Sequence, residues 1–194
     1  MRIGTCLQIG LQQSTEYLYL TDTNWREQLE SIDPILRIPE SVCEDIETWR
    51  YIGVDQDPNS IAHLCQTHGA KGRWITAQVG SESGALIEIN SHLWGDDKFQ
   101  GLHATVLSLE HIINGFGLNP LDVLAMDIEG MEFGVLRDYS WIVKPRFITV
   151  EIHSYESIQS DVQSIIEDVG YSLLSLTPTN IGNRYPTIEA KYIL

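Results

Sequence analysis

The sequence predicts an α/β domain built on a doubly wound, mostly parallel sheet, and three observations carry that prediction. Short apolar runs alternate with segments of helical spacing along the chain. Most of the runs end in acidic or other polar residues. The last two strand-like runs follow one another without a helix between them, which suits a hairpin at the sheet edge.

Taken in order, TCLQIGL supplies a first strand that meets Gly10, and RYIGVD (50–55) a second that ends at Asp55 before an Asp-Pro-Asn turn. Asn59 or Ser60 can then cap a helix carrying Ile61, Ala62, Leu64 and Cys65, closed in the Gly69 to Gly72 region. RWITAQVG reads as a third strand, and ALIEIN alternates as a half-exposed one does. LSLEHIINGFG has helical spacing and a glycine stop. DVLAMDIEG is the strongest strand signal, and Glu129 to Leu136 reads as a helix whose opening acids face the positive end of its dipole. PRFITVEIH gives another strand, 156–169 a helix halted by Gly170, and YSLLSLT with TIEAKYIL the closing hairpin. The segment 21–49, with Pro34 and Pro39, exceeds one crossover helix and reads as helical pieces forming a cap or insertion on a single domain, 1–194.

Composition narrows the partners. Lys and Arg total 12 against 27 Asp and Glu among 194 residues, a net charge of -15, and such a surface repels nucleic-acid phosphates and anionic lipid headgroups. No apolar run approaches the ~20 residues of a membrane span, and MRIGTCLQIG lacks the pattern of a signal peptide, so a cytoplasmic protein is expected. Cys6, Cys43 and Cys65 have no paired spacing and read as buried thiols. His63, His68, His92, His103 and His111 share no metal-ligand spacing.

A sheet of this kind binds ligands beyond the carboxyl ends of its strands, and there the polar residues collect: Asp55 and Asp57, Thr76, Ala77 and Gln78, Asp127 and Glu129, Glu151 and His153. Asp55 stands where such a sheet places the carboxylate that accepts hydrogen bonds from both ribose hydroxyls. The bland reading for Asp55 and Asp57 is an Asx turn before Pro58. Asp127 and Glu129, two apart, leave one face of an extended strand, and Glu151 and His153 repeat that spacing on the next. If those strands are neighbours, four titratable groups converge in a cleft suited to proton abstraction or to a divalent cation. The loop after the first strand, LQIGLQQS, carries Gly10 alone where close approach to a cofactor favours several glycines.

VLAMDIEGMEFGVL followed by FITVEIH resembles the paired signature of FkbM-type methyltransferases: a strand ending Asp-x-Glu-Gly-x-Glu, then one ending Glu-x-His. YIGVDQDPNS, AQVGSESG and TVLSLEHII resemble further pieces of that family in the same order, so the match covers about residues 50–155. The resemblance implies a Rossmann-like class I methyltransferase sheet of order 3-2-1-4-5-7-6 and S-adenosyl-L-methionine as cofactor. By position, Gln8, Gly10 and Gln12 would lie along the methionine part, Asp55 on the ribose, Asp57 with Thr76, Ala77 and Gln78 around the adenine, and Asp127 and Glu129 beside the sulfonium. It also implies O-methylation of a small molecule or sugar hydroxyl. His153 is then the candidate base, because its ordinary pKa of about 6.5 is closest to neutrality, with Glu151 or Glu129 next. A catalytically inactive methyltransferase-like binding domain and a divalent-metal-dependent enzyme on the same fold stand as alternatives. The acceptor would meet 21–49 and 90–103, whose Trp25, Trp49, Trp94 and Phe99 offer an apolar or sugar-stacking surface.

Overall fold

The computed structural model describes residues 2–11, 38–68, 72–88, 103–153, 155–179 and 187–194. Its centre is a seven-stranded sheet. In chain order the elements are β1 (Arg2–Ile9), α1 (Glu40–Cys43), β2 (Ile46–Asp55), α2 (Pro58–His68), β3 (Gly72–Thr76), β4 (Gln78–Gly80), β5 (Leu86–Glu88) and β6 (His103–Ser108). Then follow α3 (Leu109–Phe116), β7 (Val123–Met126), α4 (Glu132–Asp138), β8 (Phe147–His153), α5 (Tyr155–Asp168), β9 (Ser172–Thr179) and β10 (Thr187–Ile193).

The main sheet runs β3-β2-β1-β7-β8-β10-β9. Its first five strands are parallel, and β10 lies antiparallel between β8 and β9. Numbered within that sheet alone, the order is 3-2-1-4-5-7-6. The expected closing hairpin is present, with its second strand inserted inward so that β9 forms the edge.

Alternation along the strands sorts the core onto both faces. Leu7, Ile9, Ile52, Val54, Leu124, Met126, Ile148, Val150 and Ile152 pack with Leu109, Ile112 and Ile113 of α3, Val135 and Leu136 of α4, and Val162 and Ile166 of α5. On the other face Cys6, Tyr51, Val123 and Phe147 meet Val42 and Cys43 of α1 and Ile61 and Leu64 of α2. Helices on both faces bury both surfaces of the parallel strands, which explains their nearly unbroken apolar runs.

Several boundaries differ from the sequence expectation. The run 73–80 is two strands: after β3 the Ala77 N–H donates to the Asp55 carbonyl at 2.9 Å, and the chain leaves to pair β4 with β6. Residues 103–108, the last two of them read with the helical run LSLEHIINGFG, form β6 at the centre of a separate sheet, β4-β6-β5. Their β-branched Thr105 and Val106 favour that outcome. Helix α3 starts only at Leu109, where Ser108 Oγ accepts the His111 N–H at 3.2 Å, and ends at Gly117, left-handed at φ 59°. β2 begins at Ile46, so the expected 21–49 insertion loses its last residues to the sheet, and α1 is its one described helical piece; 21–37 lie outside the described residues. Cys6 and Cys43 are buried as expected, but Cys65 is exposed on α2.

Candidate active site

The carboxyl ends of β1, β2 and β7 are stitched together by backbone. Gly10 N–H donates to the Val54 carbonyl at 2.9 Å, and Asp127 N–H to the Ile9 carbonyl at 2.9 Å. Gly10 sits at φ +82° so close over β7 that a Cβ built on it would stand 1.6 Å from the Asp127 carbonyl oxygen. Only glycine tolerates both the conformation and the approach. Asp55 closes the same corner. Its Oδ2 accepts the Leu11 N–H and its Oδ1 the Asp57 N–H, each at 2.6 Å. Burial raises the Asp55 pKa against the lowering effect of these two bonds.

A second corner lies beyond β7 and β8. His153, the last residue of β8, has Nε2 3.1 Å from Glu129 Oε2 and 3.8 Å from Asp127 Oδ1, and Nδ1 2.9 Å from Glu132 Oε1. Glu151, two residues earlier on the same face, accepts from Thr179 Oγ1 at 3.0 Å and from Thr187 Oγ1. Asp127 Oδ1 is buried and accepts no hydrogen bond among the described residues. Four carboxylates thus surround one imidazole.

Their mutual repulsion is resolved by protons. For His153, burial acts to lower the pKa, but the bonds with Glu129 and Glu132 outweigh it and push it up to about 10. For Asp127, burial first and then the neighbouring Glu151 and Glu129 charges push the carboxyl up to about 8. Both shifts favour a charged imidazole and a protonated Asp127 near neutrality. The contacts with Glu129 and Glu132 thus move His153 away from the ordinary pKa on which its candidacy as base rested. Asp127, Glu151 and His153 each offer one ligand atom within 4.8 Å of the others, a spacing that fits a small cation. A metal there would first have to displace the imidazolium proton.

The expected site residues divide accordingly. Asp55 stands at the end of β2, one strand removed across β1 from β7 and β8, at whose ends Asp127, Glu129, Glu151 and His153 gather. The route differs from the expectation for Glu129, which is not on an extended strand: β7 stops at Met126, and Glu129 (φ 56°) with Gly130 (φ 99°) makes a left-handed turn that carries the side chain back to the imidazole. Asp57 takes the bland role. Its Oδ1 accepts the Asn59 N–H at 2.8 Å and its Oδ2 the Ser60 hydroxyl at 3.0 Å, so it caps α2 ahead of Pro58 in place of Asn59 or Ser60. Gln8 is buried and its amide oxygen accepts from Tyr51 OH, which turns it into the core beneath β1. Thr76 is exposed at the end of β3, Ala77 is buried at the break, and Gln78 opens β4. Gln12 lies outside the described residues, as do Trp25, Trp94 and Phe99.

Glu132 was missed in the sequence. It reads there as an ordinary acid in the first turn of a helix, yet its side chain is fully buried, and Oε1 accepts from Ile128 N–H at 3.2 Å and Gly130 N–H at 3.0 Å besides meeting His153. The signal that could have found it is the local Glu-Gly-x-Glu spacing, in which a glycine turn lets the second acid fold back on its own strand.

A seven-stranded 3-2-1-4-5-7-6 sheet is the scaffold of class I methyltransferases. Residues 9–173 match the Methyltransferase FkbM domain. The chain belongs to the FkbM family of S-adenosylmethionine-dependent methyltransferases. Among curated proteins no relative matches. Of solved structures, the fibrillarin pre-rRNA processing protein of Methanococcus jannaschii superposes with a TM-score of 0.51 at 9% identity over 99% of this chain and 66% of that one. The precorrin-6y C5,15-methyltransferase of Geobacter metallireducens GS-15 gives 0.49 at 9% identity, over 99% and 81%. The Burkholderia thailandensis 1,6-didemethyltoxoflavin-N1-methyltransferase, solved with bound S-adenosylhomocysteine, gives 0.49 at 10% identity, over 99% and 71%. No described helix is long and apolar enough to cross a membrane.

Proposed function

We propose that the chain is an O-methyltransferase that takes S-adenosyl-L-methionine as cofactor and a small molecule or sugar hydroxyl as acceptor, in the cytoplasm. The observation that carries the cofactor reading is the buried Asp127 Oδ1, which has no hydrogen-bond partner in a cleft rimmed by further acids. Burial without a partner keeps Asp127 protonated, and a cationic ligand beside it would favour its ionised form. The bound cofactor supplies an electrophilic methyl group on a sulfonium.

The chain's own residues would do the rest. Asp55 keeps lone pairs beyond those used by Leu11 and Asp57, so its two oxygens can each accept a ribose hydroxyl. Gly10 lets the backbone approach the methionine part, and Ala77 with Gln78 edges the adenine side. Asp127 faces the sulfonium. With His153 held as a cation, the hydroxyl proton passes to a carboxylate. Glu129 is the choice, since its left-handed turn, where strain is stored when a side chain must be aimed, brings its carboxylate 3.1 Å from His153 Nε2. Glu151 follows. Most of the rate would come from alignment of the acceptor oxygen with the methyl group. The net charge of -15 favours an acceptor that is not polyanionic.

Calorimetric titration with S-adenosylmethionine tests the reading: a Kd below ~100 μM is expected for the wild type, with binding abolished in Asp55→Ala. A titration without heat at millimolar ligand, from protein with a folded far-UV spectrum, would instead favour a non-catalytic relative.

A further inference from the structure

We propose that Glu132 is a positioning residue: anchored by the Ile128 and Gly130 N–H groups, it grips His153 Nδ1 and so turns the opposite ring nitrogen, Nε2, onto Glu129 and Asp127. Its importance for turnover rests on the methyl-transfer reading, but the grip is a property of the free protein.

The argument starts from where an acid in a helix's first turn belongs. At the surface it meets the positive end of the dipole and stays solvated. Glu132 does the opposite: its side chain is 0% exposed, and a carboxylate in that position costs several kcal/mol unless donors meet it. Three donors converge on one oxygen, Oε1: Ile128 N–H at 3.2 Å, Gly130 N–H at 3.0 Å and His153 Nδ1 at 2.9 Å. The two backbone donors come from the turn made by Glu129 and Gly130, both left-handed. The same turn therefore shapes the anchor and presents Glu129 to Nε2 from the other side. An imidazole tied at Nδ1 is fixed in its orientation, and here Nε2 lies 3.1 Å from Glu129 and 3.8 Å from Asp127. Carboxylates that fix a histidine ring in this way set which nitrogen carries chemistry.

NMR of cofactor-free protein with isotope-labelled histidine tests this, with His153→Asn to assign the signal. In wild type at neutral pH the Nδ1–H resonance of His153 is expected to be protected from solvent exchange. Glu132→Gln keeps one acceptor oxygen but loses the charge, and should speed that exchange at least ~10-fold, about 1.4 kcal/mol in proton retention, with Glu132→Asp recovering part of the protection. An unchanged resonance in a folded Glu132→Gln protein overturns the proposal. If that variant does not fold, the wild type decides: a neutral ring with a bare Nδ1 overturns the proposal, and a protected Nδ1–H supports it. A protected Nδ1–H in a protein that binds no S-adenosylmethionine would instead remove the methyl-transfer reading and leave the grip standing.

Discussion

Gly10 and His153 show how far single residues decide this cleft. Gly10→Ala would force a Cβ into the Asp127 carbonyl at a positive φ, and is expected to cost at least ~2 kcal/mol and to lower the thermal midpoint clearly. A midpoint equal to wild type would show that the β1 and β7 ends are not in contact as described. For His153, the folded protein holds the proton to about pH 10, whereas an unfolded chain releases it near ~6.5. That stabilisation is complete below ~6.5 and is lost as pH rises through 10. Asp127 acts with the same sign, its share complete below ~4 and lost as pH rises to about 8. Urea midpoints for wild type should therefore fall between neutral and alkaline pH more than those of His153→Gln; parallel curves would refute the imidazolium assignment. Asp55, Asp127 and His153 were legible in sequence because polar residues that end apolar runs have few other places to go. Glu132 was not, because burial is decided by packing that a local pattern does not contain.

At the scale of elements, the turn after β2 separates two neighbouring acids that look alike in sequence. Asp57 caps α2 and Asp55 ties Leu11 to the strand end. Asp57→Ala is expected to cost about 1 kcal/mol of stability, as for a lost N-cap, and to leave cofactor affinity within a few-fold. The same loss of affinity as in Asp55→Ala would return Asp57 to the cofactor site. Strand and helix identities were legible where the period was clean, as in β7, β8 and α5. The division of 73–80 into β3 and β4 was not, because the break at Ala77 depends on the Asp55 carbonyl of another strand. The mid-sheet strand β6 was hidden because its last residues, Leu107 and Ser108, also fit the start of α3.

Over the whole molecule, stability and chemistry occupy opposite ends of the sheet. At the amino end Asp122, with a side chain 0% exposed, accepts the Thr5 N–H at 2.8 Å and pairs with Arg2 and, at 3.4 Å, with Arg146. Asp45 joins the same arginines, and its hydrogen bonds from Arg146 and Arg2 lower its pKa to about 2. Asp122→Ala leaves the buried Thr5 N–H without its acceptor, while Arg2 and Arg146 keep Asp45, and is expected to cost about 1–3 kcal/mol. In the fraction that remains folded, cofactor affinity should match wild type. The strand order itself was legible, since alternating strands and helices with a final hairpin leave few sheet arrangements open.

The acid cleft as a seat for a sulfonium is tested most directly by calorimetry in buffers of different ionisation enthalpy, comparing S-adenosylmethionine with the neutral thioether S-adenosylhomocysteine. Because Asp127 holds its proton up to about pH 8, binding of the cation near neutrality should expel roughly one proton and binding of the thioether almost none. Equal proton release for the two ligands, or none for either, would contradict it.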